Sequence, residues 1–232
     1  MSFVYGGFRG KVRWVPEDSY GIVPSGSSGS YIGLVDSFEP RLSMGNIFLR
    51  QIGHRDLVGI QRGRFESSAS IEYMAQDHEL LRYALEKITG SFTLEARWTS
   101  TDEGASPSYF IMSGCKINSA RVSNSVGNAV RVVLDVWGRS GSFSGSNYLS
   151  GSVFTEPPHS IPMMWHDSSI KINGSTVNNL NAFEYNIRND LERLYFVEVS
   201  GRYPRIIPEK ARTWEGTVTM TFDSITELDR ML

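Results

Sequence analysis

Over most of this chain apolar and polar residues alternate with a period of two, the pattern of half-buried strands. Residues 67–74 bring Ala69, Ile71 and Tyr73 to one face, and residues 92–98 do the same with Phe92, Leu94, Ala96 and Trp98. Residues 116–122 and 130–137 are two further alternating runs, and the Ser/Asn/Gly stretch from Ser123 to Asn128 predicts a hairpin turn between them. Residues 170–177 carry Asn173-Gly174, the pair that best tolerates the positive φ angles of a tight hairpin turn. A last strand is predicted over 194–199. Near the start, residues 8–15 predict a short strand. Pro16, Gly21, Pro24 and the Ser/Gly run to Ser30 then break regular structure, so residues 1–30 are expected as an irregular N-terminal arm and 31–232 as a β domain.

Two segments change period. Leu80, Leu81, Ala84, Leu85 and Ile88 share one helical face, with Asp77 placed to cap the start and Gly90 the end. A short C-terminal helix is expected from Ile225, where Ser224 and Glu227 have capping-box spacing. The pattern therefore predicts a mostly-β fold, with both helices packed on the sheet.

An internal echo runs through the chain. Phe38-Glu39 returns as Phe183-Glu184, and Arg64-Phe65-Glu66 as Thr213-Trp214-Glu215, each of the latter pair leading into an alternating run. Glu79-Leu80-Leu81-Arg82 returns as Glu227-Leu228-Asp229-Arg230, and the offset stays between 145 and 149 residues. A duplication and a chance likeness of two β-rich halves both fit. Between the halves, residues 138–158 are rich in Gly and Ser and end on Pro157-Pro158, which predicts a linker or long loop.

Composition narrows the function classes. The 232 residues are 40% hydrophobic, 12% aromatic and 21% charged, values of a globular chain rather than a disordered one. A net charge of −2 argues against a dedicated nucleic-acid binder, though not against a protein that DNA merely passes. Such a protein should avoid a basic lining that would hold phosphates. No apolar run approaches the ~20 residues of a membrane span, and no signal-peptide pattern opens the chain. The sequence thus reads as a soluble protein folded in a reducing cytoplasm. Cys115 is the only cysteine, so neither an internal disulfide nor a cysteine zinc site is expected, and a buried apolar role is.

Motifs for chemistry are missing. His54, His78, His159 and His166 are scattered without zinc spacing. Gly141-Ser142-Phe143-Ser144-Gly145 only resembles a nucleophile elbow, because Phe143 occupies the serine position. Phosphate-binding and dinucleotide fingerprints are absent, and carboxylate pairs such as Asp102-Glu103 read as surface charge. Trp98, Trp137, Trp214 and Phe222 lie in or beside strands and read as core. No cofactor, metal site or catalytic residue is predicted, and the chain is expected not to be an enzyme.

Residues 41–64 stand apart. They mix five arginines and four glycines with Phe48, Leu49, Ile52, Leu57, Val58 and Ile60, without clean alternation. An ordinary long hairpin is one reading, and an exposed apolar ribbon that needs a partner surface is the other.

In their order, these segments resemble the tail tube protein family of tailed bacterial and archaeal viruses. The resemblance runs from about residue 31 through Phe38-Glu39, residues 63–73, the helix from Leu80 to Gly90 and the hairpin from Gly114 to Val136 with Trp137-Gly138-Arg139-Ser140. It continues through residues 183–192, Gly201-Arg202-Tyr203-Pro204 and Trp214-Glu215-Gly216-Thr217. It implies a β-sandwich or barrel of the tail-tube type, and a subunit that assembles with itself into hexameric rings. The rings would stack into a hollow tube that delivers viral DNA without binding it specifically or entering a membrane. Tape-measure, terminator and baseplate proteins are the implied partners, the virion tail is the implied location, and the host cytoplasm the site of assembly. Residues 41–64 and the N-terminal arm, with Phe3, Tyr5 and Phe8, become the candidate contacts between subunits and rings. Another tail component, the tube of a contractile injection device, and a carbohydrate-binding β-sandwich are the alternatives.

Overall fold

The computed structural model describes residues 10–53, 55–86, 90–98, 107–158, 161–172, 174–176, 179–197 and 201–221. Eleven strands form two layers that share one long strand. In chain order the elements begin with β1 (Lys11–Pro16), β2 (Ser28–Ile32), β3 (Leu34–Met44), β4 (Ile47–Leu49), β5 (Gly59–Gln61), β6 (Phe65–Met74) and α1 (Glu79–Leu85). They continue with β7 (Phe92–Trp98), β8 (Ser108–Ser125), β9 (Arg131–Gly138), β10 (Ser140–Ser144) and β11 (Val153–Thr155). The small hairpin β12 (Lys171–Ile172) and β13 (Ser175–Thr176), then β14 (Leu180–Arg188) and β15 (Thr213–Met220), complete the set.

β8 is the shared strand. Its first half pairs with β7 and β10, in a layer ordered β11-β2-β1-β7-β8-β10. Its second half pairs with β9 and β14, in a layer ordered β3-β6-β9-β8-β14-β15. The bend falls at Gly114, whose φ is +65°, a conformation that costs a residue with a Cβ. An added Cβ would also lie 2.6 Å from the Arg139 side chain and 3.1 Å from the Tyr20 ring. The Glu17 carboxylate fixes this corner by accepting from Gly114 N (2.8 Å), Gly21 N (2.8 Å), Thr93 Oγ1 (2.7 Å) and the Ser91 hydroxyl.

Between the layers, Phe92, Leu94, Phe110 and Met112 meet Ile71, Leu134, Val136 and Ile187. Each such side chain removed from water contributes about 1.5–3 kcal/mol. α1 lies against β8 with Leu80 and Ala84 buried. Cys115 is fully buried among these apolar residues.

Several elements differ from the sequence reading. The short strand expected over 8–15 is β1, but the stretch to residue 30 is no loose arm, because Val12 and Trp14 of β1 point into the core and β1 joins β2 to β7. The Gly/Ser-rich stretch 138–158 contains β10 and β11 and folds onto the first layer. There Leu149 is buried, and Phe154 packs on Tyr31 and under Arg13. No strand forms over the described part of 194–199, where Leu194 makes a single bridge to Ile206. Asp77 accepts from Glu79 N (3.1 Å) rather than standing as the N-cap, which is His78. Ile88 and the expected C-terminal helix lie outside the described residues. The echoed segments Phe38-Glu39 and Phe183-Glu184 fall on β3 and β14, the first strands of two hairpins at opposite flanks of the second layer.

Candidate assembly surfaces

β3 and β6 run past the body of the sheet. Met44 faces Phe65, and Gly45 N donates to Arg64 O (2.9 Å). The hairpin then continues as β4 and β5, with Phe48 opposite Ile60 and Leu49 opposite Gly59. At the junction Gly63 approaches Gly45 so closely that a Cβ would stand 1.6 Å from its carbonyl oxygen. Only glycine lets the two backbones cross there.

The resulting two-stranded ribbon has no third strand and no covering layer among the described residues. Ile47, Phe48, Leu49, Leu57, Val58 and Ile60 are 42% to 60% exposed, and Ile52 is wholly exposed. All six sequence candidates in this stretch are therefore brought together on one protrusion. Phe3, Tyr5 and Phe8 lie outside the described residues.

Segment 189–212 holds the root of the ribbon. Phe65 N donates to Arg202 O (2.8 Å), Tyr195 Oη donates to Phe65 O (3.0 Å), and the Tyr203 ring packs on Phe65 at 5.1 Å. Arg193 donates to Ser67 O (2.8 Å) and lies over the Trp137 ring at 4.0 Å. Burial pulls its guanidinium below the ordinary arginine range, against the opposing pull of Glu66. Arg212 closes the segment by donating to Leu85 O, Glu86 O and Asn189 Oδ1, a cation set on the C-terminus of α1. None of these ties was visible in the sequence, because each joins residues far apart in the chain.

The second layer also has open flanks. Among the described residues, β3 pairs only with β6 and β15 only with β14. β15 is exposed along almost its whole length, and Trp214, read from sequence as core, is 47% exposed beside Tyr185. The outer face of this layer is mostly polar, carrying Ser70, Glu72, Arg121, Ser123, Glu184, Thr217 and Thr219 beside Val133 and Trp137. Two of its arginines are paired, Arg121 with Glu184, and Arg131 with Glu72 (2.7 Å) and Asp36 (3.5 Å). A shallow open depression of about 610 Å³ runs along this face past Asn128, Arg131 and Thr217.

Among the described residues no three His, Cys, Asp or Glu side chains gather to hold a metal ion. Burial, aided by Glu17, pushes the Cys115 thiol well above its usual range, which makes it a poor nucleophile. No helix among them is long and apolar enough to cross a membrane.

A two-layer β fold whose buried polar groups serve as ties, and whose apolar ribbon stands uncovered, is the build of a structural subunit. The chain belongs to the Phage tail tube protein family, which it matches over residues 7–232. It is a structural subunit of a tail tube, and proteins of this family assemble with themselves into stacked rings. No curated protein matches it in sequence. Among solved structures, the SPP1 tail tube aligns with 14% identity over 64% of this chain and 82% of that one, at a TM-score of 0.48. A type six secretion system protein aligns with 12% identity over 75% and 93%, at a TM-score of 0.38.

Proposed function

We propose that copies of this chain close into a hexameric ring by joining sheet flanks, and that rings stack through the apolar ribbon and the N-terminal arm. The stacked rings form a hollow conduit for viral DNA. The observation that carries this reading is the ribbon, a run of large apolar side chains that the chain itself leaves in water. Each of these side chains, once covered by a neighbour, returns up to about 1.5–3 kcal/mol.

The flanks support the ring. Six antiparallel strands make the second layer, so β3 and β15 run in opposite directions. A copy rotated about an axis along the strands then brings its β3 antiparallel to β15, and every free N–H and C=O finds a partner. The mostly polar outer face of that layer becomes the bore. Arg121 and Arg131 are already held by carboxylates, so DNA meets few free cations there. Tape-measure, terminator and baseplate proteins are the expected partners, the virion tail the location, and the host cytoplasm the place of assembly. No enzymatic step is assigned to the chain.

Electron microscopy of the concentrated protein tests this directly. Rings or tubes with sixfold end views are expected, and Phe48→Asp combined with Leu57→Asp should abolish stacking. A protein that stays monomeric at high concentration, or a double variant that stacks like the parent, refutes the reading.

A further inference from the structure

The second layer has two ends. The ribbon leaves from the end where β6 begins. At the other end lie the β8–β9 turn, the last residue of β6 and the start of β14. Three large apolar side chains stand exposed there, Val126 at 54%, Ile161 at 70% and Trp165 at 43%. Their frame is firm, because Met163 N donates to Ala75 O (2.7 Å), Val130 N to Met163 O (2.8 Å) and Trp165 N to Asn128 O (3.1 Å). Val126 and Trp165 border a shallow groove that Leu180 and Phe183 also line.

Two further observations bear on what fills this groove. Asn124 lines it and donates from Nδ2 to Ser168 Oγ (3.0 Å), while its buried Oδ1 receives no donor among the described residues. A buried acceptor without a donor has lost its water and gained no partner, so the site favours an incoming N–H. The charges point the same way. Asp36, Glu72, Asp77 and Asp167 lie at this end, and Arg131 neutralises part of that charge by pairing with Asp36 and Glu72. The ribbon instead carries Arg50, Arg55 and Arg62 against Asp56, while Arg41 is held by Glu39 and Arg64 lies over the Tyr195 ring at the root.

We infer that the ribbon of one copy docks on this end of the next copy. Val126, Ile161 and Trp165 cover its apolar side chains, the acidic rim receives its arginines, and Asn124 Oδ1 accepts one of its donors. The two surfaces differ and sit at opposite ends, so the contact is head-to-tail and repeats indefinitely along an axis. The inference rests on the reading of the ribbon as a stacking element, and it names the surface that receives it.

The test compares the full chain, the ribbon variant Phe48→Asp/Leu57→Asp, and the variant Val126→Asp/Trp165→Asp by sedimentation and electron microscopy. The last should keep the circular dichroism spectrum of the parent, stop at single rings, and lose at least tenfold of the pelletable tube. Parental tubes from it, with the ribbon variant blocked, overturn this docking surface alone. Parental tubes from both overturn the ribbon reading as well. A second measurement does not depend on loss of assembly. Phe48→Cys or Leu57→Cys protein, mixed with Val126→Cys or Trp165→Cys protein and oxidised in the grown tube, should give a mixed disulfide for at least one pair. Tubes in which none of the four pairs cross-links, or in which the ribbon variants link only to themselves, refute the inference.

Discussion

Glu95 offers the sharpest check on the energetics of the fold. Its side chain is fully buried on the side of the first layer away from the core, where the guanidinium nitrogens Nε (2.8 Å) and Nη2 of Arg13 both donate to Oε1. Its other oxygen accepts from Tyr148 N (3.2 Å) and Leu149 N (3.3 Å), which pins the chain between β10 and β11 onto the sheet. Glu95→Gln keeps the shape but removes the charge, and it turns an NH₂ group toward either Arg13 or two backbone N–H donors. Breaking a buried pair from one side costs about 3–5 kcal/mol, because the remaining charge is stranded. For a chain of this size each kcal/mol moves Tm by about 2–4 °C, so a fall of roughly 6–20 °C is expected. Urea unfolding followed by tryptophan fluorescence, on protein kept below its assembly concentration, measures the change. Arg13→Met combined with Glu95→Leu should recover part of the loss, since an apolar pair of similar volume strands no charge. A loss for Glu95→Gln below about 1 kcal/mol would mean that Arg13 is satisfied by Asn147 and the Phe154 ring alone, and the reasoning fails.

Gly114→Ala should cost more than about 1 kcal/mol, read in the same urea assay, because its φ is positive and its Cβ site is occupied by Arg139. An Ala variant of parental stability would place the corner of β8 elsewhere. Burial raises the pKa of both Tyr20 and Tyr73, so both stay protonated in the fold. An unfolded tyrosine ionises near 10.0, so their contribution is complete below that pH and declines as pH rises beyond it. Tyr20→Phe should flatten that alkaline decline. It should cost little at pH 7, since the Tyr20 hydroxyl is buried without a partner among the described residues.

The ribbon was legible because five arginines and nine large apolar residues in 24 positions fit neither a core strand nor a loop. The central hairpin was legible because alternation and turn residues agree across 116–137. β1 was legible as a short run over 8–15, whereas β2, at the end of the Ser/Gly-rich stretch, escaped notice because only pairing with β1 makes it a strand. β10 and β11 escaped for a related reason. Ser and Gly have weak strand propensity, and it is the edges of β8 and β2 that order them. Over the described part of 194–199 the backbone pairs only at Leu194, because this segment is held to the sheet by the side chains of Arg193 and Tyr195, on the carbonyls of Ser67 and Phe65, rather than by a strand ladder. The far-end groove had no sequence signal at all, since Val126, Ile161 and Trp165 meet only through the fold.

The sharing of β8 between both layers has a kinetic consequence. Neither layer is complete without this strand, and its partners come from residues 92–98, 131–144 and 180–188, so much of the chain must be in place before either sheet closes. Such distant pairings make folding slow and leave little room for a stable half-folded species. Native-state hydrogen exchange should therefore show both layers opening together, with β8 the last strand to lose protection. A nascent chain would then display its ribbon on a finished body, which delays the meeting of sticky surfaces until the subunit can stack in register.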